Sequence, residues 1–82
     1  MSTKLYVGNL PWNFYNNQLL DIFKPYGKVV SAKVVTDRES GKSRGFGFVE
    51  MENDIDVNAA IRALNGSELN GRKLVVAAAK AS

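Results

Sequence analysis

The apolar residues of this 82-residue chain follow two different periods, and this alternation constrains the fold more than any other feature. Two stripes have the i, i+3, i+4, i+7 spacing of one helix face. They are Leu19, Ile22, Phe23 and Tyr26 in the first, and Val57, Ala60, Ile61 and Leu64 in the second. Four other segments have the alternating or β-branched composition of strands, at residues 4–10, 29–36, 45–51 and 72–78. The predicted element order is therefore βαββαβ.

Turn-forming residues separate these segments. Pro25 and Gly27 end the first helix, Gly66 supplies a left-handed residue that closes the second, and Asn70-Gly71 makes a turn into the last strand. Two helices against a four-stranded antiparallel sheet predict an α+β, ferredoxin-like two-layer sandwich with both helices on one face. We expect one domain over residues 1–82, with a core of about 3–79.

Composition excludes several classes of function. The chain has no cysteine and no histidine, which removes zinc fingers, Cys/His nucleophile pairs and Ser-His-Asp hydrolysis. We expect no metal, no cofactor and no enzymatic activity. The sequence contains no apolar run of about 18 residues, so we expect no membrane association, and the absence of disulfides predicts a reducing compartment, the cytoplasm. The net charge of +3 is a mild bias toward polyanions.

Side-chain parity predicts which face of the sheet has the aromatic residues. Residues two apart in a strand point to the same side. One parity of the first and third strands includes Lys4, Arg44 and Glu50, which are poor candidates for unpaired burial beneath the helices. The same parity includes Tyr6, Phe46 and Phe48. We therefore predict that these three rings lie on the face that the helices leave open.

Three exposed rings beside cations favour a ligand with flat bases and phosphates. Each nucleobase that stacks on an aromatic side chain contributes about 1 to 3 kcal/mol, and an unstacked single strand makes its bases available. We predict that a monomer binds single-stranded RNA, with single-stranded DNA left open because stacking does not detect the 2′-hydroxyl. No small-molecule substrate is expected.

Two motifs then resemble a known family. LYVGNL at residues 5–10 is similar to the RNP2 motif, and RGFGFVEM at residues 44–51 is similar to the RNP1 motif, of the RNA recognition motif family. The resemblance implies that Tyr6 and Phe48 stack on successive bases, that Phe46 packs against the sugars and that Arg44 binds a phosphate. It also implies a role in post-transcriptional RNA regulation or RNA chaperoning. Met51 stands where RNP1 usually has an aromatic residue, and its parity is inward.

Further contacts are expected around the rings. Gly8 on the open face is expected to leave room for a base, and the apolar Val75 and Ala77 on the last strand suggest modest sequence discrimination. The loop that includes Arg38 and Lys42 is either a mobile phosphate clamp or a solvated turn. The additional candidate RNA contacts are Lys4, Lys33, Lys73 and Lys80.

Two other functions fit the residues less well than RNA binding does. Gly41-Lys42-Ser43 matches the end of a phosphate-binding loop, but Thr36 stands where that motif needs glycine and a strand follows instead of a helix. A protein-interaction domain is the second alternative, although the intact rings disfavour it.

Trp12 is expected to pack against the fold. The acidic residues Glu50, Glu52, Asp54 and Asp56 are expected to favour a helix dipole instead of forming a catalytic cluster.

Overall fold

The computed structural model describes residues 3–79. The strands are β1 (Lys4–Gly8), β2 (Val29–Thr36), β3 (Ser43–Met51), β4 (Glu68–Leu69), β5 (Arg72–Lys73) and β6 (Val75–Ala78). The helices are α1 (Asn16–Phe23), which continues into one 3₁₀ turn at Lys24–Tyr26, and α2 (Asp54–Leu64). The predicted ferredoxin-like βαββαβ order is confirmed, with the small β4–β5 hairpin inserted before the last strand.

The main sheet has the strand order β2-β3-β1-β6, with antiparallel pairing throughout. The two motif strands, β1 and β3, are therefore neighbours at its centre, and their register aligns Tyr6 with Phe48. A register shift interrupts the pairing of β2 with β3 near Val34. This topology brings the two motifs into contact although about 35 residues separate them in the sequence.

One face of the sheet is buried beneath the helices. Leu5, Val7 and Val49 have no exposed surface, and Met51 is only 1% exposed. This is the inward parity that the charged residues predicted, and it includes the methionine that departs from RNP1. Phe23 of α1 is fully buried in the same core. The opposite face of the sheet is left uncovered by either helix.

Gly47 lies where α1 and β2 approach β3 closely. A Cβ atom at this position would lie 2.5 Å from the Lys33 carbonyl oxygen and 3.2 Å from Cδ2 of Leu19. The first of these atoms belongs to the backbone and cannot move aside as a side chain can. Glycine is therefore required at Gly47 for the close packing of β2, β3 and α1.

Two asparagine side chains attach the helices to the outer strands. The Val34 N–H of β2 donates to Oδ1 of Asn16 at 2.7 Å, and the Val76 N–H of β6 donates to Oδ1 of Asn65 at 3.0 Å. Asn16 is the first residue of α1, and Asn65 follows α2 directly. In each outer strand, one backbone N–H group therefore donates to an asparagine side chain at the end of a helix.

The last strand differs from the prediction of a continuous strand over 72–78. Asn70 and Gly71 both have positive φ, at 50° and 79°, and fold β4 and β5 into a tight hairpin. Leu74 is then buried, and its N–H donates to the Ser67 carbonyl at 2.8 Å instead of joining the sheet. Lys73 therefore belongs to the hairpin, and only β6 completes the four-stranded sheet.

Candidate nucleic-acid interface

The three predicted rings form one cluster on the open face. Tyr6 lies across from Phe48 and next to Phe46, with ring centroids 6.0 Å from each of them. Phe46 and Phe48 alternate along β3, and their centroids are 6.2 Å apart with the ring planes perpendicular. All three side chains are half-buried, since they support one another at their edges while their outer surfaces remain accessible. The cluster is an apolar platform that faces solvent.

Gly8 does not leave an open space for a base. A Cβ atom at Gly8 would lie 2.6 Å from the Tyr6 hydroxyl oxygen and 2.9 Å from its Cε2 atom. The Tyr6 ring therefore lies along its own strand and covers Gly8, which is buried. The absence of a side chain at Gly8 makes room for Tyr6, so the expectation of a base at this point is wrong.

Cationic side chains surround the cluster. The Lys4 ammonium lies 5.6 Å from the centroid of the Phe48 ring, within the range of a cation–π interaction. Lys33 on β2 is paired in register with Phe48. Arg44 lies near the start of β3, separated from Phe46 by Gly45, whose φ of 84° departs from extended strand geometry. All three cations are exposed. The structure thus places Lys4 and Lys33 beside Phe48, whereas a role of Arg44 next to the rings stays a prediction.

A cavity of about 180 Å³ opens beside Phe48 on the same face. Its lining combines the two lysines with a hydroxyl, a carboxylate and an apolar side chain. The lining residues are Lys4, Ser31, Lys33, Val35, Phe48 and Glu50. Ser31 was missed by sequence analysis, although its parity with Lys33 places it on the open face. Glu50 was used only to assign the face of its strand.

The loop between β2 and β3 is organised by hydrogen bonds to Asp37. Its carboxylate accepts from the N–H groups of Glu39 at 2.9 Å and Ser40 at 3.3 Å, and these bonds lower the pKa of Asp37 below its ordinary value. The Asp37 N–H donates to the Lys42 carbonyl at 2.8 Å, which closes the loop. The loop is a hydrogen-bonded turn with Arg38 and Lys42 exposed on it, and the contact of these two side chains with a phosphate stays a prediction.

The hairpin β4–β5 adds a cationic edge at the end of β1. Asn9 has a positive φ of 60°, and its amide donates to the Lys73 carbonyl at 2.8 Å. The same amide accepts from the Arg72 guanidinium at 3.1 Å. Lys73 is exposed, but it lies beside the sheet and not in it. Lys80, the remaining candidate contact, falls outside the described residues 3–79.

Trp12 does not pack against the fold, so that prediction is wrong. Its side chain is 75% exposed, whereas Leu10, Pro11 and Phe14 of the same loop are buried. The Leu10 N–H donates to the Gly45 carbonyl at 2.8 Å, which fixes the loop beside the start of β3. The neighbours of Trp12 fill the available space beneath the loop, and the indole ring is left outside.

The four acidic residues between positions 50 and 56 do not form a single catalytic or metal-binding cluster. Glu50 lies on the open face of β3, Glu52 pairs with Lys28 at 3.3 Å, and Asp54 and Asp56 lie in the first turn of α2. The last two have the favourable position near a helix N-terminus that was expected. Within residues 3–79, no three His, Cys, Asp or Glu side chains are grouped as a metal site would require. No helix in this part of the chain has the length and apolarity needed to span a membrane.

The sequence matches one protein family and is similar to several plant RNA-binding proteins. The family profile described as "RNA recognition motif" matches residues 5–75. The chain is 55% identical over 73 residues to RNA-binding protein CP31B, chloroplastic, of Arabidopsis thaliana, covering 89% of this chain and 25% of that protein. It is 50% identical over 76 residues to the mitochondrial glycine-rich RNA-binding protein 2 of the same plant, covering 93% and 48%.

Two solved structures have the same fold. The crystal structure of RNA-binding protein PG1 superposes with a TM-score of 0.94 at 48% identity, covering 99% of this chain and 98% of that one. The Rna15 RRM with bound RNA (GU) superposes with a TM-score of 0.89 at 30% identity, covering 99% and 86%. The chain therefore spans nearly all of one solved relative, but only a quarter to a half of the two plant proteins.

The names of the relatives contradict the cytoplasmic location expected from the sequence. The relatives from Arabidopsis, Spinacia and Nicotiana are described as chloroplastic ribonucleoproteins or RNA-binding proteins. The expectation rested on the lack of cysteine and of long apolar segments. These properties suit any reducing aqueous compartment, so they could not distinguish the cytoplasm from an organelle.

Proposed function

This chain belongs to the RNA recognition motif family, and we propose from that membership that it binds single-stranded RNA on the open face of its sheet. The supporting observation is the contact between Tyr6, Phe46 and Phe48, which form a solvent-facing platform with centroids 6.0 to 6.2 Å apart. A soluble monomer rarely exposes such an apolar surface without a ligand for it. The role is binding, without catalysis of a reaction.

Each ring has a separate part in the proposed complex. Tyr6 and Phe48 stack on successive bases, and Phe46, perpendicular to Phe48, packs against the sugars between them. Stacking at about 1 to 3 kcal/mol per base gives an affinity on the order of micromolar for a single domain of this kind. This weak, reversible binding suits post-transcriptional regulation or RNA chaperoning.

The cations hold the phosphates beside the platform. Lys4 and Lys33 lie beside Phe48, and Arg44 precedes Phe46 by two residues on β3, so these three cations are the first candidates for phosphate contacts. Two further lysines are secondary candidates for phosphate contacts. They are Lys73, on the β4–β5 hairpin, and Lys80, near the end of the sequence. Neutralising a phosphate releases a counterion, and the binding constant then falls as salt rises.

A salt titration tests this proposal. Binding of a labelled, unstructured RNA should weaken between about 50 and 200 mM salt, with a logarithmic slope of about −0.7 for each phosphate contacted. Arg44→Gln should make the slope shallower by about 0.7. The matched control is Lys28→Gln, which removes the same charge at the opposite end of the sheet, where Lys28 pairs with Glu52.

Two results would contradict the proposal. The first is a lack of detectable RNA binding at low salt. The second is an equal change of slope in the Arg44 and Lys28 variants, since net charge alone would then explain the attraction. A DNA strand of the same sequence, measured in parallel, reports whether the 2′-hydroxyl contributes to binding.

A further inference from the structure

One carboxylate interrupts the cationic and aromatic surface of the open face. Among the outward-facing residues of the described strands β1, β2, β3 and β6, Glu50 is the only acid. Its charge repels phosphate, so its position on this face is unfavourable for a surface that serves only to hold an RNA backbone. The edges of the bases, in contrast, have N–H groups that can donate hydrogen bonds to a carboxylate.

The sheet register places Glu50 inside the cavity beside Phe48. Ser31 of β2 and Lys4 of β1 are its cross-strand partners on either side. Lys33 is in register with Phe48, two residue pairs further along the sheet and on the same face. The cavity of about 180 Å³ is bounded by these side chains and by the Phe48 ring itself. The cavity therefore has room for a base that stacks on Phe48 with the edge of its ring next to Glu50.

The polar groups of the cavity match one base better than the others. Ionised Glu50 only accepts hydrogen bonds, whereas the lysine ammonium groups only donate them. Guanine has two adjacent donors, N1–H and the N2 amino group, next to the acceptor O6. Adenine, cytosine and uracil each lack two adjacent donors on their Watson–Crick edges. A carboxylate can accept both guanine donors at once, and such bidentate, charge-assisted pairs are the strong ones.

We propose that this cavity is a guanine-selective subsite, in which Glu50 accepts from N1–H and N2–H and a neighbouring lysine donates to O6. The inference rests on the proposed RNA binding and adds a base preference to it. Glu50 has the specificity role here, and Phe48 provides the stacking surface. The preference is confined to one position of the bound RNA because Glu50 is the only acid among the outward-facing residues of the described strands.

Four fluorescein-labelled uridine oligomers of about seven nucleotides, differing only in a central G, A, C or U, test the proposal. The unmodified chain should bind the G oligomer about tenfold more tightly than the other three. Glu50→Gln should reduce this ratio to about twofold or less, since the amide replaces one acceptor with a donor. Glu52→Gln is the matched control, because it removes an equal charge two residues further along and should keep the ratio.

Each other outcome overturns the guanine assignment. If all four oligomers bind the unmodified chain equally, or if a different base is preferred, the cavity does not select guanine. If Glu50→Gln strengthens all four complexes by the same factor, Glu50 only repels phosphate. These results leave RNA binding intact. Failure of all four oligomers to bind at low salt overturns the proposed function and the subsite together.

Discussion

Replacing Phe48 with alanine separates binding from folding, because the ring lies on the sheet and not in the core. The substitution removes one stacking surface, which should cost about 1 to 3 kcal/mol of RNA affinity. It also removes ring contacts with Tyr6 and Phe46 at 6.0 and 6.2 Å, and a cation–π contact with Lys4 at 5.6 Å. These contacts are partly solvated, so we expect a loss of about 1 to 2 kcal/mol in the free energy of unfolding.

The matched control is Phe23→Ala, which removes the same side chain from a fully buried position in α1. A buried phenylalanine replaced by alanine costs about 3 to 5 kcal/mol of stability. Fluorescence anisotropy with a labelled RNA measures affinity, and chemical denaturation measures the free energy of unfolding. If the alanine variant of Phe23 does not fold, Phe23→Leu provides a milder change at the same buried site.

The two variants should show opposite patterns. Phe48→Ala should weaken RNA binding while the domain remains folded, whereas the Phe23 variant should lose stability and bind RNA normally while folded. Removal of a buried phenylalanine costs about 3 kcal/mol or more. A loss of that size in the free energy of unfolding of Phe48→Ala would therefore place the ring in the core. Unchanged RNA affinity in Phe48→Ala would remove the ring from the binding surface.

Three further changes test other parts of the structure. Gly47→Ala should lower the free energy of unfolding by about 1 to 3 kcal/mol, because the new methyl group meets the Lys33 carbonyl; denaturation equal to the unmodified chain would contradict this. Trp12→Ala should change stability by less than about 0.5 kcal/mol in the same measurement, since the ring is 75% exposed. Asp37 has a lowered pKa in the folded chain, so its contribution to stability is complete above the ordinary value of 3.8 and is lost as pH falls through the lowered value. An NMR titration of the Glu39 amide should have its midpoint below 3.8, and a midpoint at or above that value would disprove the hydrogen-bonded turn.

Strand parity made the open face predictable from the sequence. The alternation of charged and apolar residues in β1 and β3 determines which side of each strand can be buried, and Leu5, Val49 and Met51 are buried as that pattern requires. The helical stripes predicted the second layer for the same reason. Both patterns are local, so no knowledge of distant contacts was needed to interpret them.

Features that depend on competition for space were not predictable in this way. Trp12 is exposed because its loop neighbours occupy the buried positions, and the hydrophobicity of one residue does not report that outcome. The Tyr6 ring covers Gly8 because of a rotamer choice, which strand parity does not determine. The break at Leu74 depends on its hydrogen bond to Ser67, which extends the β4–β5 hairpin, and the unbroken apolar run of residues 74–78 concealed it.

The asparagines that join the helices to β2 and β6 also affect self-association. An outer strand with free N–H and C=O groups can pair with the strand of another molecule, and a domain that displays three aromatic rings is already exposed to aggregation. Asn16 and Asn65 occupy a backbone donor near the middle of each outer strand. A second molecule could continue the sheet only after displacing an amide and disturbing the end of a helix. The same contacts that assemble the fold therefore oppose strand pairing between two copies of the domain at its outer strands.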